Sequence, residues 1–495
     1  MIGRILLTLT GLAVSGLLLL VLIGLWDRYE EETAALGFGG IYERYLASQA
    51  GFSVDLKGRA APEAERRRQR AASRETATRE QVASMQTFQQ WPKLVGTGAV
   101  GSTNQGMSVA LSADGNTAIV GGPGPNNADR DRSPFVGPAG AAWIFTRSGG
   151  GWRQQGGKLV GTTNEYGGGL WSQGASVALS ADGNTAIVGG PSDNGTTGAA
   201  WVFTRSGGSW TQQGKKLVGT GAVGKARQGM SVALSADGNT AIAGGWSDNS
   251  KTGAAWVFTR VGGAWTQQGN KLVGTDAVGS ARQGTSVALS SDGNTAIVGG
   301  PGDNPWDRSV PFGLGAAGAA WVFTRSGGVW TQQGNKLIGT GAVARQGTSV
   351  ALSTDGNVAI VGGLAEDGGV ALVFTRSGGH WTRDKKLVGP GAVGKSTPSV
   401  ALSTDGNIVM VGGSNDNGGV GAAWVFTRGG DYRTHDKNLV GTAPSASADG
   451  SMVGRSNDKG GVGVATVLTR SGGGSDSQEP PRPPAPSNPA LNLEE

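Results

Sequence analysis

Hydrophobic and polar positions alternate, run together and alternate again along most of this chain, in an order that repeats. In its cleanest copy, Ser231-Val-Ala-Leu-Ser235 alternates and ends on Asp237-Gly238, a strong two-residue hairpin signal. Thr240-Ala-Ile-Ala243 follows as an apolar run stopped by Gly244-Gly245, as expected of a strand buried on both faces. After a loop comes Ala254-Ala-Trp-Val-Phe-Thr-Arg260, rich in aromatic and β-branched residues. A Gly-Gly turn leads to a more polar stretch, Trp265-Thr-Gln-Gln-Gly-Asn-Lys-Leu-Val273. Each copy therefore predicts four strands whose character grades from apolar to polar. That gradient orders them from a central channel to an outer rim.

The Asp-Gly step recurs at Asp114, Asp182, Asp237, Asp292, Asp355 and Asp405, with a worn copy at Asp449. The Trp-Val-Phe-Thr-Arg step recurs at Trp143, Trp201, Trp256, Trp321 and Trp424, with Leu372 and Thr466 in the Trp slot of two more copies. Both landmarks count seven. A period of roughly 45–65 residues with four strands per copy is that of a β-propeller blade, which buries its apolar faces only by stacking against neighbours. The last copy stops at Arg470 without its fourth strand, while an orphan copy of that strand, residues 88–96, precedes the first blade. The orphan is expected to complete the last blade and close the ring, removing exposed sheet edges. The expected fold is all-β: a seven-bladed β-propeller of four-stranded blades over residues 87–471, closed by an N-terminal strand. Six blades with a remnant is the alternative, because the seventh copy reads Pro444-Ser-Ala-Ser-Ala-Asp449.

The flanks have other compositions. Residues 5–26 are almost wholly apolar and long enough for a transmembrane helix. A signal-anchor is preferred to a cleaved signal, since no small-x-small cleavage site follows. Arg4 favours a cytoplasmic N-terminus, although Arg28 opposes it, and so places the propeller in the periplasm or outside the cell. Residues 27–86 are charged and short of apolar positions, which predicts a helical or mobile stalk. The Pro-rich tail, 472–495, is expected to be disordered.

Composition narrows the chemistry. The 495 residues include no Cys, which excludes disulfides, thiol catalysis and thiolate metal ligation. The net charge of +6 is spread through the copies, without a recognition helix or a basic stripe interleaved with aromatics, so nucleic acid is not an expected partner. There are two His, His380 and His435, in separate blades. No nucleophile elbow or metal-spaced cluster accompanies them. The first strand offers hydroxyls but no general base.

The repeat resembles the FG-GAP repeat of integrin α-subunit propellers and bacterial extracytoplasmic proteins. Gln-Gly (Gln173-Gly174, Gln228-Gly229, Gln283-Gly284, Gln346-Gly347) stands at the "FG" position. Gly-Gly-Pro at Gly121, Gly189 and Gly299 stands at the "GAP" position, and the likeness covers residues 88–470. It implies a seven-bladed propeller used for binding or adhesion, sometimes with calcium in the first hairpin. Calcium is not expected here, because Ala110, Ser112, Asp114 and Ala118 supply too few oxygens for a cage. No cofactor and no metal are therefore assigned.

The 4–1 loops (fourth strand to the next first strand) and the 2–3 loops share one propeller face, and they differ between copies whose frameworks are nearly identical. Variable loops on a rigid frame are where binding usually sits. The ligand-binding candidates are Asp131, Arg132, Tyr166, Trp171, Arg227, Trp246, Arg282, Trp306, Asp307, Arg308 and Arg345. Repeated tryptophans such as Trp201 and Trp210 are assigned to packing. The expected function is a membrane-anchored extracytoplasmic binding or adhesion module for a protein or polysaccharide ligand, and not an enzyme. The alternatives are a scaffold subunit of a membrane complex, and a propeller hydrolase or lyase using loop carboxylates such as Asp129, Asp131 and Asp307. Sequence assigns no oligomeric state.

Overall fold

The computed structural model describes residues 88–90, 92–101, 103–124, 140–149, 151–162, 172–305, 315–339, 343–365, 368–389, 398–403, 406–413, 422–429, 431–435, 451–455 and 464–470. The expected membrane span, stalk and tail lie outside these residues, as does the worn Pro444–Asp449 segment. Among the described residues no helix is long and apolar enough to cross a membrane.

The strands fall where the pattern places them. After β1 (Phe88–Gln90), blade 1 comprises β2 (Ser108–Leu111), β3 (Thr117–Gly122), β4 (Ala141–Ser148) and β5 (Gly151–Gln154). Blade 2 comprises β6 (Ser176–Leu179), β7 (Thr185–Gly190), β8 (Ala199–Ser206) and β9 (Ser209–Gln212). Blade 3 comprises β10 (Ser231–Leu234), β11 (Thr240–Gly245), β12 (Ala254–Val261) and β13 (Ala264–Gln267). Blade 4 comprises β14 (Ser286–Leu289), β15 (Thr295–Gly300), β16 (Ala319–Ser326) and β17 (Val329–Gln332). Blade 5 comprises β18 (Val350–Leu352), β19 (Val358–Ala365), β20 (Gly368–Ser377) and β21 (His380–Val388). Blade 6 comprises β22 (Ser399–Leu402), β23 (Ile408–Gly413), β24 (Ala422–Gly429) and β25 (Asp431–His435). Each blade is an antiparallel meander in chain order. Its third and fourth strands are joined through glycines such as Gly207 and Gly208, whose φ values of 55° and 81° few other residues tolerate.

The expectation of seven four-stranded blades needs correction. Among the described residues six sheets have four strands, and a further sheet has three, in the order β1-β27-β26, where β26 is Ser451–Arg455 and β27 is Val464–Arg470. β26 pairs with β27 as second strands do elsewhere, Gly454 standing opposite Ala465 as Gly244 stands opposite Ala255. The positions where the seventh copy's first strand would fall, around Pro444–Asp449, lie outside the described residues. The closing strand is where it was expected: β1 pairs antiparallel with β27, Phe88 opposite Arg470 and Gln90 opposite Leu468. Leu94, just beyond β1, packs with Trp143 and Val109 in the cluster of blade 1, the place Leu159 takes for blade 2.

Blades are cemented by alternation along their second and third strands. In blade 3, Ala241, Ala243, Ala254, Trp256 and Phe258 pack toward Ile187, Ala200, Val202 and Leu217 of blade 2. The intervening Ile242, Ala255 and Val257 pack toward Trp321 and Phe323 of blade 4. Large side chains therefore meet small residues at the described interfaces, with Leu372 against Gly339 taking the place of Trp at the interface of blades 4 and 5. The Trp256 indole lies against Gly219, and its Nε1 donates to the Thr220 carbonyl at 2.8 Å. Gln228 then clamps the same segment: its Oε1 accepts the Gly219 N–H at 2.6 Å and its Nε2 donates to the Gly219 carbonyl at 2.9 Å. The "FG" glutamine is thus a buried interblade clasp, repeated by Gln105, Gln173, Gln283 and Gln346.

Outer strands carry a second clasp. Gln213 Oε1 of blade 2 accepts Arg260 Nη1 at 2.9 Å and Trp265 Nε1 at 3.0 Å, both from blade 3. Trp152 Nε1 in blade 1 is buried without a partner.

The hairpin face is a closed polar network. Asp237 Oδ1 accepts the Ser235 hydroxyl and the Asn239 N–H, and its Oδ2 accepts Asn239 Nδ2. Arg260 Nε donates to Asn239 Oδ1 at 2.9 Å. Backbone bonds then pass from turn to turn: Ala113 N–H to Ala181, Ala181 to Ala236, Ala236 to Ser291 and Ser291 to Thr354. The oxygens once weighed for calcium are engaged in these turns.

Two outcomes follow. Ala at position 219 would drive a methyl group into the Trp256 indole, so Gly219→Ala should lower unfolding free energy by about 1–3 kcal/mol in denaturant titration. Asp114, Asp182, Asp237, Asp292 and Asp355 are held below the ordinary carboxylate value; burial opposes this, but the Ser and Asn hydrogen bonds outweigh it. The unfolded chain then binds more protons, so this stabilisation is complete above the unfolded pKa of about 3.9 and lost as pH falls through the lower folded values. Denaturation midpoints measured from pH 6 downward should fall over that range. The slope should be shallower in a variant with all five changed to Asn.

Candidate functional site

The opposite face is built from the 4–1 and 2–3 loops, and the structure joins the two sets. Gly198, in the 2–3 loop of blade 2, bridges in parallel to Gln228, in the loop entering blade 3. Gly253 bridges likewise to Gln283, and Gly318 to Gln346. The residue before each of those glutamines is an arginine. Arg227 N–H donates to Thr196 at 3.0 Å, Arg282 N–H to Lys251 at 2.9 Å and Arg345 N–H to Ala316 at 2.8 Å. All three arginines are left-handed, with φ of 60°, 58° and 51°. Blades 1 and 2 have Asn104 and Ser172 at this position, also left-handed.

Beneath these loops sits a buried ion pair that sequence reading missed. Asp248 Oδ1 accepts the Val223 N–H at 2.7 Å, and its Oδ2 meets Lys271 Nζ at 2.6 Å. Asp303 does the same with Val278 and Lys336. Asp193 pairs with Lys216 at 2.6 Å, while its Oδ1 and Thr196 Oγ1 are buried without hydrogen-bond partners. The signal was present: Asp-Asn falls three residues after the second Gly of Gly-Gly in blades 2, 3 and 4. In a low-dielectric site such a carboxylate needs its cation. Neutralised in this way, these acids hold loops in place and are not free bases.

Above them, Trp246, Arg227 and Arg282 come together. The Arg227 guanidinium carbon lies 5.4 Å from the Trp246 ring centroid and that of Arg282 lies 5.6 Å from it. The Arg282 stem runs along Gly302, and Arg345 continues the series over Gly315 on the next loop. Lys225, Lys251 and Asp276 are exposed nearby in the same loops. Four of the eleven expected ligand residues are thus described, and three of them form one cluster. The rest, Asp131, Arg132, Tyr166, Trp171, Trp306, Asp307 and Arg308, lie outside the described residues, as does Asp129. Trp201 and Trp210 pack between blades as expected.

The channel serines also have structural work. Val177 N–H donates to Ser108 Oγ at 2.9 Å and Val232 N–H to Ser176 Oγ at 3.0 Å, while Ser231 and Ser286 hydroxyls donate to Gly284 and Gly347. These hydroxyls stitch adjacent blades.

The fold is that of a β-propeller. No family model and no curated protein matches the chain. Among solved structures, it is similar to a provisionally assigned 6-phosphogluconolactonase from Bacteroides uniformis, at 14% identity and a TM-score of 0.47, covering 71% of this chain and 89% of that one. It is also similar to a periplasmic gluconolactonase from Pseudomonas aeruginosa, at 17% identity and a TM-score of 0.43, covering 68% and 88%. A protein from Lactobacillus plantarum gives 14% and 0.44, covering 68% and 85%. The expectation that the chain is not an enzyme is corrected on this finding, since two of the three similar propellers bear the names of enzymes.

The Asp248 cap gives a local test. Asp248→Ala should raise the exchange rate of the Val223 amide by at least tenfold, a loss of about 1.4 kcal/mol of protection, leaving the Ala236 turn amide unchanged. Hydrogen exchange read by NMR or mass spectrometry distinguishes the two sites.

Proposed function

We propose that the chain is a ligand-recognising propeller of the FG-GAP type whose working surface is the 4–1 and 2–3 loop face over blades 2 to 5. The observation that carries this reading is the distribution of backbone strain. Twelve non-glycine residues among those described have positive φ, from Asn104 to Arg345, and every one lies in a 4–1 or 2–3 loop. They include two short left-handed turns, at Asn194–Thr196 and Asn249–Lys251. The hairpin face makes its turns with glycines such as Gly115, Gly183 and Gly238 instead. Each left-handed non-glycine residue costs on the order of 1 kcal/mol or more, and such strain gathers at ligand sites. A framework that could have used glycine on both faces spends stability on one.

The FG-GAP reading is supported by the repeated Gln-Gly and Gly-Gly-Pro steps, now seen as interblade clasp and second-strand end. An anchored, extracytoplasmic placement is supported by the apolar residues 5–26. The ligand on this reading is a polar protein or polysaccharide surface, bound or turned over on the loop face. Gluconolactone and 6-phosphogluconolactone are the first substrates to try.

The test compares the full chain with loop variants Arg227→Gly, Arg282→Gly and Arg345→Gly, and with the hairpin variant Asp114→Ala. Glycine accepts the left-handed backbone, so the loop variants should keep or raise the melting temperature. Binding to an array of neutral and acidic oligosaccharides, and hydrolysis of the two lactones, should fall in the loop variants and persist in the hairpin variant. Activity that survives all three loop substitutions, or no binding and no turnover at all, would overturn the proposal.

A further inference from the structure

We infer that Arg227, Trp246 and Arg282, continued by Arg345, form a binding site for an acidic polysaccharide of the uronate type; this rests on the loop face being the working surface. Two guanidinium groups stand over one indole, each within 5.6 Å of its centroid. Blades 1 and 2 fill the same left-handed position with neutral Asn104 and Ser172, and their residues equivalent to Trp246 are Pro123 and Pro191. The tryptophan is therefore an addition to the repeat, and it stands beside two of the three arginines that hold the loop position in blades 3 to 5.

Geometry suits them to an anion. A guanidinium presents a planar fork of donors that matches a carboxylate in a bidentate manner. Each arginine is fixed at its backbone by a bond from the neighbouring 2–3 loop, and Trp246 lies beneath two of the side chains. Less freedom is then lost when the donors engage a ligand. Repetition suits them to a polymer. Arg227, Arg282 and Arg345 occupy one loop position in three successive blades, so their charges step around the face by the blade repeat. A chain with a carboxylate on each sugar can meet several of these steps at once. Single-stranded nucleic acid also carries regular charge, but its binding sites stack bases on open aromatic faces. The one aromatic ring described in this cluster is already engaged by guanidinium groups.

The experiment measures binding of the full chain to polygalacturonate by calorimetry, beside dextran as a neutral glycan and an oligothymidylate as the rival polyanion. Polygalacturonate should bind, more weakly as salt rises, with dextran inert and the oligothymidylate weaker. Arg227→Gln, Arg282→Gln and Arg345→Gln should each reduce affinity about tenfold, in line with loss of one charge-assisted pair. Arg282→Lys keeps the charge without the fork and should fall between. Trp246→Leu should weaken binding as well, with melting temperatures recorded to show that each variant is folded. Tighter binding of the oligothymidylate would overturn the saccharide class. Binding of dextran as tight as that of polygalacturonate, and weakened equally by the Arg→Gln changes, would overturn the anion site while leaving the loop face as working surface. No binding to polygalacturonate would overturn the inference outright.

Discussion

The described ring depends on a large side chain lying against a glycine across each blade boundary, an indole in five blades and Leu372 against Gly339 in blade 5. Trp143, Trp201, Trp256, Trp321 and Trp424 each meet the glycine that ends the preceding fourth strand: Gly96, Gly161, Gly219, Gly274 and Gly389. A single blade has no interior, because its second and third strands bury one row of side chains toward each neighbour. The contact therefore creates a core and fixes blade spacing in one step. Its directionality also explains the closing strand. Blade 1 needs a Gly-Thr segment on its open side, and the chain supplies Gly96-Thr97 just after β1. Trp143 Nε1 donates to Thr97 at 2.8 Å, as Trp256 does to Thr220 in mid-array.

That constraint divides the two ends of the ring. At the hairpin end, Ser, Asp, Asn and Arg saturate one another within and between turns, and glycine takes the left-handed positions. This end has few unused donors and little strain. At the loop end, glutamine clasps and buried Asp–Lys pairs hold loops whose upper residues are strained and cationic. A buried carboxylate whose cation and main-chain donor come from different segments is a precise way to fix a loop, since removing either partner leaves an uncompensated charge. Rigid support below and strained, charged residues above is the arrangement expected where a surface must meet a partner in one geometry.

The fold was largely legible because propeller physics is written locally. Val-Ala-Leu, Ala-Ile-Val and Trp-Val-Phe each carry their own period, and Asp-Gly marks its own turn. The strand count differs only in the seventh copy, whose described strands are β26, β27 and the closing β1 and whose sequence Ser-Ala-Ser-Ala lacks the Val and Leu of the other first strands. The site was legible in part. Arg227, Trp246 and Arg282 stood out as departures from the repeat, but no local signal says that two arginines from separate 4–1 loops share one ring. Asp193, Asp248 and Asp303 were missed for the opposite reason. They repeat from blade to blade, so nothing set them apart, and only their pairing with lysines just beyond the fourth strand reveals what they hold.

Where chemistry can occur follows from what the framework has already consumed. The first-strand serines bond across blades, the hairpin aspartates bond to their own turns, and the loop aspartates are buried under lysines. A catalytic group drawn from these framework residues would have to leave one of these partnerships, at the cost of an interface. Exposed carboxylates such as Asp276 stand instead in the loops that vary between blades, beside the arginines. Binding and any turnover are thus driven to the same surface, one by its cations and the other by its acids. Changes in these loops leave the indole–glycine contacts beneath them intact, so the ring can acquire new ligands without rebuilding its core.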